Sequence, residues 1–114
     1  MESAFLNFFG DNPNSRLLEF LITGRDFDYS LTDLAENAGI GWTTLHRIFP
    51  LFEKQGIILQ TRTIGRAKLF KLNLQNDEVK KLINLFDGLL AKQLNASIEK
   101  SEKVLIKQKI LARA

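Results

Sequence analysis

The sequence predicts a mainly α-helical chain with one small β-hairpin: a helix-turn-helix followed by a two-stranded ribbon, with a helical segment in front and a long helix behind. Three observations predict it. Residues 30–56 carry two short helical patterns separated by Gly39. Residues 57–74 switch to strand-like runs around Gly65. From Asp77 onward, apolar residues again recur at helical spacing.

Residues 3–9, SAFLNFF, form about two helical turns in this reading. Phe5, Leu6, Phe8 and Phe9 are too apolar to lie free, so they cap the core or bury against a second subunit. Gly10 ends the segment, and Asp11-Asn12-Pro13 reads as a turn. The next helix is expected to start at Asn14 or Ser15 and to run to Ile22, with Leu17, Leu18, Leu21 and Ile22 inward. Residues 25–29 make a polar link whose aromatics, Phe27 and Tyr29, plug the core edge.

Ser30 is a good N-cap, and Asp33 sits where a capping box places an acid. Leu31, Leu34, Ala35 and Ala38 face inward, and small Ala35 lets the next helix cross closely. Gly39 supplies the left-handed residue of a sharp turn. The second helix starts near Gly41-Trp42 and turns Leu45, Ile48, Phe49 and Phe52 inward. Trp42, Thr43, Thr44, His46 and Arg47 remain as its outer surface. Pro50 removes one N–H and is expected to bend or split the helix near Phe49. Residues 57–63 and 67–74 pair as strands, joined by Ile64-Gly65-Arg66. Arg62, Arg66 and Lys68 cluster at the ribbon tip.

The last helix opens at Asn76 or Asp77. Val79, Leu82, Ile83, Phe86, Leu89, Leu90 and Leu94 make a wide apolar face, resumed weakly through Ile98, Val104, Leu105, Ile110 and Leu111. Unbroken, it reaches about 50 Å, against a body of about 30 Å. A second copy related by a two-fold axis is the simplest cover for the surplus face. The alternative is a break near Ser97, with the helix folding back on its own domain. The expected division is a DNA-binding unit at residues 1–76 and a dimerisation helix at 77–114. Val79, Ile83, Phe86, Leu90 and Leu94 are the expected dimer contacts.

Charge sharpens the reading. Residues 1–56 hold four basic and eight acidic side chains, and residues 57–114 hold twelve and five. Between Glu53 and Asp77 there is no acid, yet Lys54, Arg62, Arg66, Lys68 and Lys71 fall there. Such a stretch suits a polyanion, or a solvated ribbon edge kept basic against stray strand pairing. At 114 residues, with 45% hydrophobic and 25% charged, the chain has room for one real core. It has no cysteine, which excludes disulfides and thiolate metal sites and fits a reducing cytoplasm. No apolar run approaches the roughly 18 residues of a membrane span. The start carries Glu2 and no basic n-region, so no signal peptide is expected.

With these elements placed, the chain resembles winged helix-turn-helix transcriptional regulators, and among them small archaeal proteins. The resemblance covers roughly residues 5–75, in FLNFFGDNPNSRLLEFLI, FDYSLTDLAENAGIGWTTLHRIFPLFEKQGII and GRAKLFKLN. It implies that the helix from Thr43 to Phe52 reads double-stranded DNA and that Gly65 and Arg66 lie in the wing. One departure is Gly41, where the family often has Ser or Thr as recognition-helix cap; glycine contributes no hydroxyl for phosphate. Trp42 is bulky for such a surface, and its size favours burial against the wing or the N-terminal segment over contact with the sugar-phosphate chain.

The expected DNA contacts are thus Trp42, Thr43, Thr44, His46, Arg47, Arg62, Arg66 and Lys68. Catalysis finds no support: there is one histidine and no Gly-rich phosphate loop before a helix. His46 has no His or Cys companion to share a metal, and no cofactor motif is present. Space for an effector exists between the aromatic N-terminus and the long helix, but no polar constellation marks it. A homodimeric DNA-binding regulator is the leading reading. A winged-helix module that binds protein instead is the alternative, since fold alone does not decide.

Overall fold

A computed structural model describes residues 3–113, with side chains through Gln108. The order is α1 (Ala4–Phe9), α2 (Pro13–Thr23), α3 (Leu31–Ala38), α4 (Trp42–Lys54), β1 (Ile58–Ile64), β2 (Ala67–Leu72) and α5 (Asp77–Arg113). Glu2, and the side chains of Lys109, Ile110, Leu111 and Arg113, lie outside the described residues.

The local signals explain most boundaries. The Ser3 hydroxyl caps α1 by accepting from the Leu6 N–H, and Phe5 is buried from that short helix. Helix α2 begins at Pro13, earlier than expected. Asn12 caps it by accepting from the Ser15 N–H at 3.0 Å, and proline suits a first helical position because that N–H has no partner to lose. Ser30 and Asp33 form both arms of a capping box on α3. Gly39 ends that helix in the left-handed region at φ 68°, and the Ile40 N–H closes on the Ala35 carbonyl at 3.0 Å.

Helix α4 is not split at Pro50. Pro50 lies on its exposed side, while Phe49 and Phe52 on either side of it are buried and hold both turns against one core. The Phe49 ring meets Phe70 edge-on at 4.7 Å. That core also takes in Leu17, Leu21, Ile22, Leu34, Leu45, Ile58 and Leu72. Each fully buried aliphatic side chain contributes about 1.5–3 kcal/mol.

The ribbon is antiparallel, and Ile64 pairs with Ala67 across a two-residue turn. Strand alternation puts Ile58, opposite Leu72, toward the core and leaves Leu59, opposite Lys71, 41% exposed; the register shifts beyond it, between Gln60 and Arg62. The link before α3 pins the ribbon. Tyr29 and Phe70 exchange backbone hydrogen bonds at 2.8 Å each, and Asp28 holds Arg62 and Thr61 of β1. The wing is therefore anchored to the residue just before the cap of α3. A Cβ on Gly24 would run into the Tyr29 ring, so glycine lets this link close down.

Asn76 caps α5, accepting from the Glu78 and Val79 N–H groups, while its amide donates to the Gln55 and Gly56 carbonyls. The start of α5 is thereby fixed to the end of α4. Helix α5 then runs 37 residues, through Ser97 without a break. Its length makes the chain 68 × 28 × 26 Å with a radius of gyration of 18.7 Å. A compact chain of this length would have about 13 Å. The helix does not fold back.

Candidate nucleic-acid interface

The helix-turn-helix builds one half of the candidate surface. With Leu45, Ile48, Phe49 and Phe52 buried, the first turns of α4 present Trp42, Thr43, His46 and Arg47 outward. Thr44 is half-buried and borders a depression with Arg16 and the Gly39–Gly41 turn. Trp42 is 52% exposed, which corrects the expectation of burial. The position one step before the inward stripe leaves the indole at the helix edge, over the ground between α4 and the wing. His46 Nδ1 lies 3.0 Å from the Trp42 carbonyl. A carbonyl only accepts, so Nδ1 carries the proton and Nε2 points away, free to meet a donor when the ring is neutral.

The wing builds the other half. Arg66 sits in the turn and Lys68 on β2, both exposed. Neither they nor Arg47 have an acidic partner among the described residues. Arg62 does. Its guanidinium grips Asp28 at 2.9 and 3.1 Å. That pair, with the Thr61 hydroxyl donating at 2.6 Å, lowers the Asp28 carboxyl to about 2. Arg62 is thus a strut of the wing, and the expected three-cation tip reduces to Arg66 and Lys68.

The two halves meet. Trp42 from α4, Leu31 and Thr32 from α3, and Arg66, Lys68 and Phe70 from the wing line one open hollow of about 270 Å3. Trp42 and the cations of the wing therefore share a side of the molecule, whereas Thr43, His46 and Arg47 do not line this hollow and Thr44 borders the other depression. The side chains offer hydroxyls, an imidazole, an indole and cations suited to phosphate oxygens and base edges.

The expected dimer residues divide. Val79 is 2% exposed and belongs to the chain's own core, and Ile83 and Phe86 pack against that core. Phe86 meets Phe5 at a ring distance of 5.5 Å. These three are corrected from surface contacts to internal packing, Val79 fully and Ile83 and Phe86 in part, because the chain's own core lies against them. Leu90 and Leu94 are 40% and 47% exposed, and the stripe continues bare through Ile98, Val104 and Leu105.

Besides Arg62–Asp28, two ion pairs escaped the sequence reading. Arg16 binds Asp11 at 2.6 Å and donates to the Gly39 carbonyl, bracing the turn between α3 and α4. Arg25 binds Asp87 at 2.8 Å, clamping α5 to the link after α2. Arg16 and Asp11 are close enough in sequence to suggest a pair; Arg25 and Asp87 are not.

Solved structures share this architecture. NadR in complex with 4-hydroxyphenylacetate is 24% identical, with a TM-score of 0.63 over 96% of this chain and 77% of that one. ZitR of Lactococcus lactis is 17% identical at a TM-score of 0.61, covering 86% of this chain and 74% of that one. MepR, a transcription regulator of the Staphylococcus aureus multidrug efflux pump MepA, is 14% identical at 0.58 over 96% and 84%. No protein-family model matches the chain, and neither does any curated protein. At these identities the likeness establishes the winged helix-turn-helix fold.

Proposed function

We propose that the chain is a homodimeric, sequence-specific DNA-binding transcription regulator of the cytoplasm, with α4 in the major groove and the wing on the backbone or minor groove. The observation that carries this is the common face. Trp42 at the start of α4 and the cations Arg66 and Lys68, which have no acidic partner among the described residues, border one hollow, on a fold whose solved examples include transcription regulators. A helix presented this way fits a major groove, and cations beside it fit the flanking phosphates. The bare part of α5, from Leu90 on, supplies the second protomer's contact, so of residues 77–114 the later turns serve dimerisation. No helix is long and apolar enough to cross a membrane. The archaeal cast of the resemblance rests on the quoted stretches alone.

The roles divide by chemistry. Arg47, on the second turn of α4, reads a base edge; Arg66, in the wing turn, holds phosphate. Arg47→Ala should weaken binding to the preferred duplex more than to random duplex. Arg66→Ala should weaken both nearly equally and flatten the salt dependence by about one counterion. Fluorescence anisotropy on the two duplexes measures this. Identical behaviour of the two variants would contradict the division, and retention of no duplex at low salt would contradict DNA binding.

A further inference from the structure

Trp42 is the chain's one tryptophan, and it opens α4 with half its surface in solvent. Large aromatics are usually mostly covered, and this ring is outside the core cluster. It is nevertheless held in place. The His46 ring lies 4.2 Å away, and His46 is itself tied to the Trp42 carbonyl. An exposed, braced aromatic beside two cations without an acidic partner among the described residues calls for a ligand with an apolar face and an anionic group.

The hollow that Trp42 borders narrows the choice. Leu31, Phe70 and the indole give it an apolar lining, and Arg66 and Lys68 give it charge. At about 270 Å3 it is small, and it is open to solvent. Such a site suits one unit of a polymer lying across it better than an enclosed effector.

Granting the DNA reading above, we infer that Trp42, Arg66 and Lys68 form a seat for one backbone nucleotide, its deoxyribose against the indole and its phosphate between the two cations. The seat joins an α4 residue to two wing residues, so a single nucleotide sets the register of both elements on one strand. It carries no sequence information, because sugar and phosphate are the same at every step. Trp42 is then a positioning residue, and His46 steadies it.

The test uses the full-length protein and a random-sequence duplex at low salt. Because the indole is unique, its emission should shift as duplex is added, with no labelling and no substitution. Trp42→Ala removes the apolar contact with the sugar and should weaken binding about five-fold or more on random and preferred duplex alike, whereas Trp42→Phe should stay within about three-fold. Trp42→Ala combined with Arg66→Ala should lose less than the product of the single losses, since both hold the same nucleotide. Circular dichroism checks that each variant is folded. Duplex binding with a silent indole, an unaffected Trp42→Ala, or fully multiplicative losses would overturn the seat while leaving the DNA reading standing. No duplex binding by the unsubstituted protein would overturn both.

Discussion

The earlier and later turns of α5 carry the same apolar stripe, but among the described residues the body and α1 lie against the helix only as far as about Ala96. Val79, Leu82, Ile83 and Phe86 pack onto the body, where Phe5 of α1 and the Arg25–Asp87 pair meet them. Leu94, Ile98, Val104 and Leu105 continue the stripe at 47–55% exposure. The difference teaches that periodicity fixes which face of a helix is apolar, whereas the length of the neighbouring elements fixes how much of it is covered. Helix α1 ends at Phe9 and α2 at Thr23, and the helix outruns both. An apolar face of this extent on a lone chain calls for a partner surface.

Substitutions in the two stretches should separate cleanly. Phe5→Ala removes a ring that is 2% exposed and packed on Phe86, and it should cost about 3–5 kcal/mol of unfolding free energy at any protein concentration. Urea denaturation at two concentrations measures this. Equal losses from Leu105→Ala would erase the distinction between the stretches.

Leu94→Asp with Leu105→Asp places two charges on the bare stripe. The body should remain folded, but self-association should be lost, and with it the rise of thermal midpoint with concentration. A concentration-dependent midpoint that survives these changes would place the partner surface elsewhere.

Asp28 gives a pH-dependent contrast, because it ties the wing and has no role in α5. Its folded pKa, about 2, lies below the ordinary 3.8, so its contribution to stability is present above about pH 4. It is lost as the pH falls toward 2. Asp28→Asn should abolish this part of the acid limb and loosen the wing, measured as faster amide exchange in β1. An acid limb identical in the variant would remove Asp28 from that role. The smallest effect belongs to the α5 cap: Asn76→Ala should cost about 1 kcal/mol, read from the same urea curves. A loss confined to association would instead mean that Asn76 serves the dimer.

The parts legible in sequence were those with a local cause. Ser30, Asp33 and Gly39 announced α3 and its turn, and the inward stripe of α4 left Thr43, His46 and Arg47 outside by elimination. The misreadings came from non-local causes. Arg62 looks like a third tip cation until Asp28, 34 residues away, is brought beside it. Trp42 looks too large to be exposed until the turn at Gly39–Gly41 sets the helix phase. Val79, Ile83 and Phe86 look like a dimer face until the core, with Phe5 of α1 on Phe86, is laid against them. Pro13 was misplaced for a local reason: Asp11-Asn12-Pro13 reads equally as a turn and as a cap with its first helical residue.

The most direct measurement is sedimentation velocity of the protein mixed with duplex DNA at low salt, which reads association and DNA binding together. Two 13.0 kDa chains should travel with each duplex, and the complex should come apart as salt rises from roughly 50 to 200 mM, where about 6–10 phosphate contacts cost about 10³ to 10⁵ in affinity. One chain per duplex, or chains that sediment apart from the DNA at every salt concentration, would contradict a paired regulator that grips DNA through α4 and the wing.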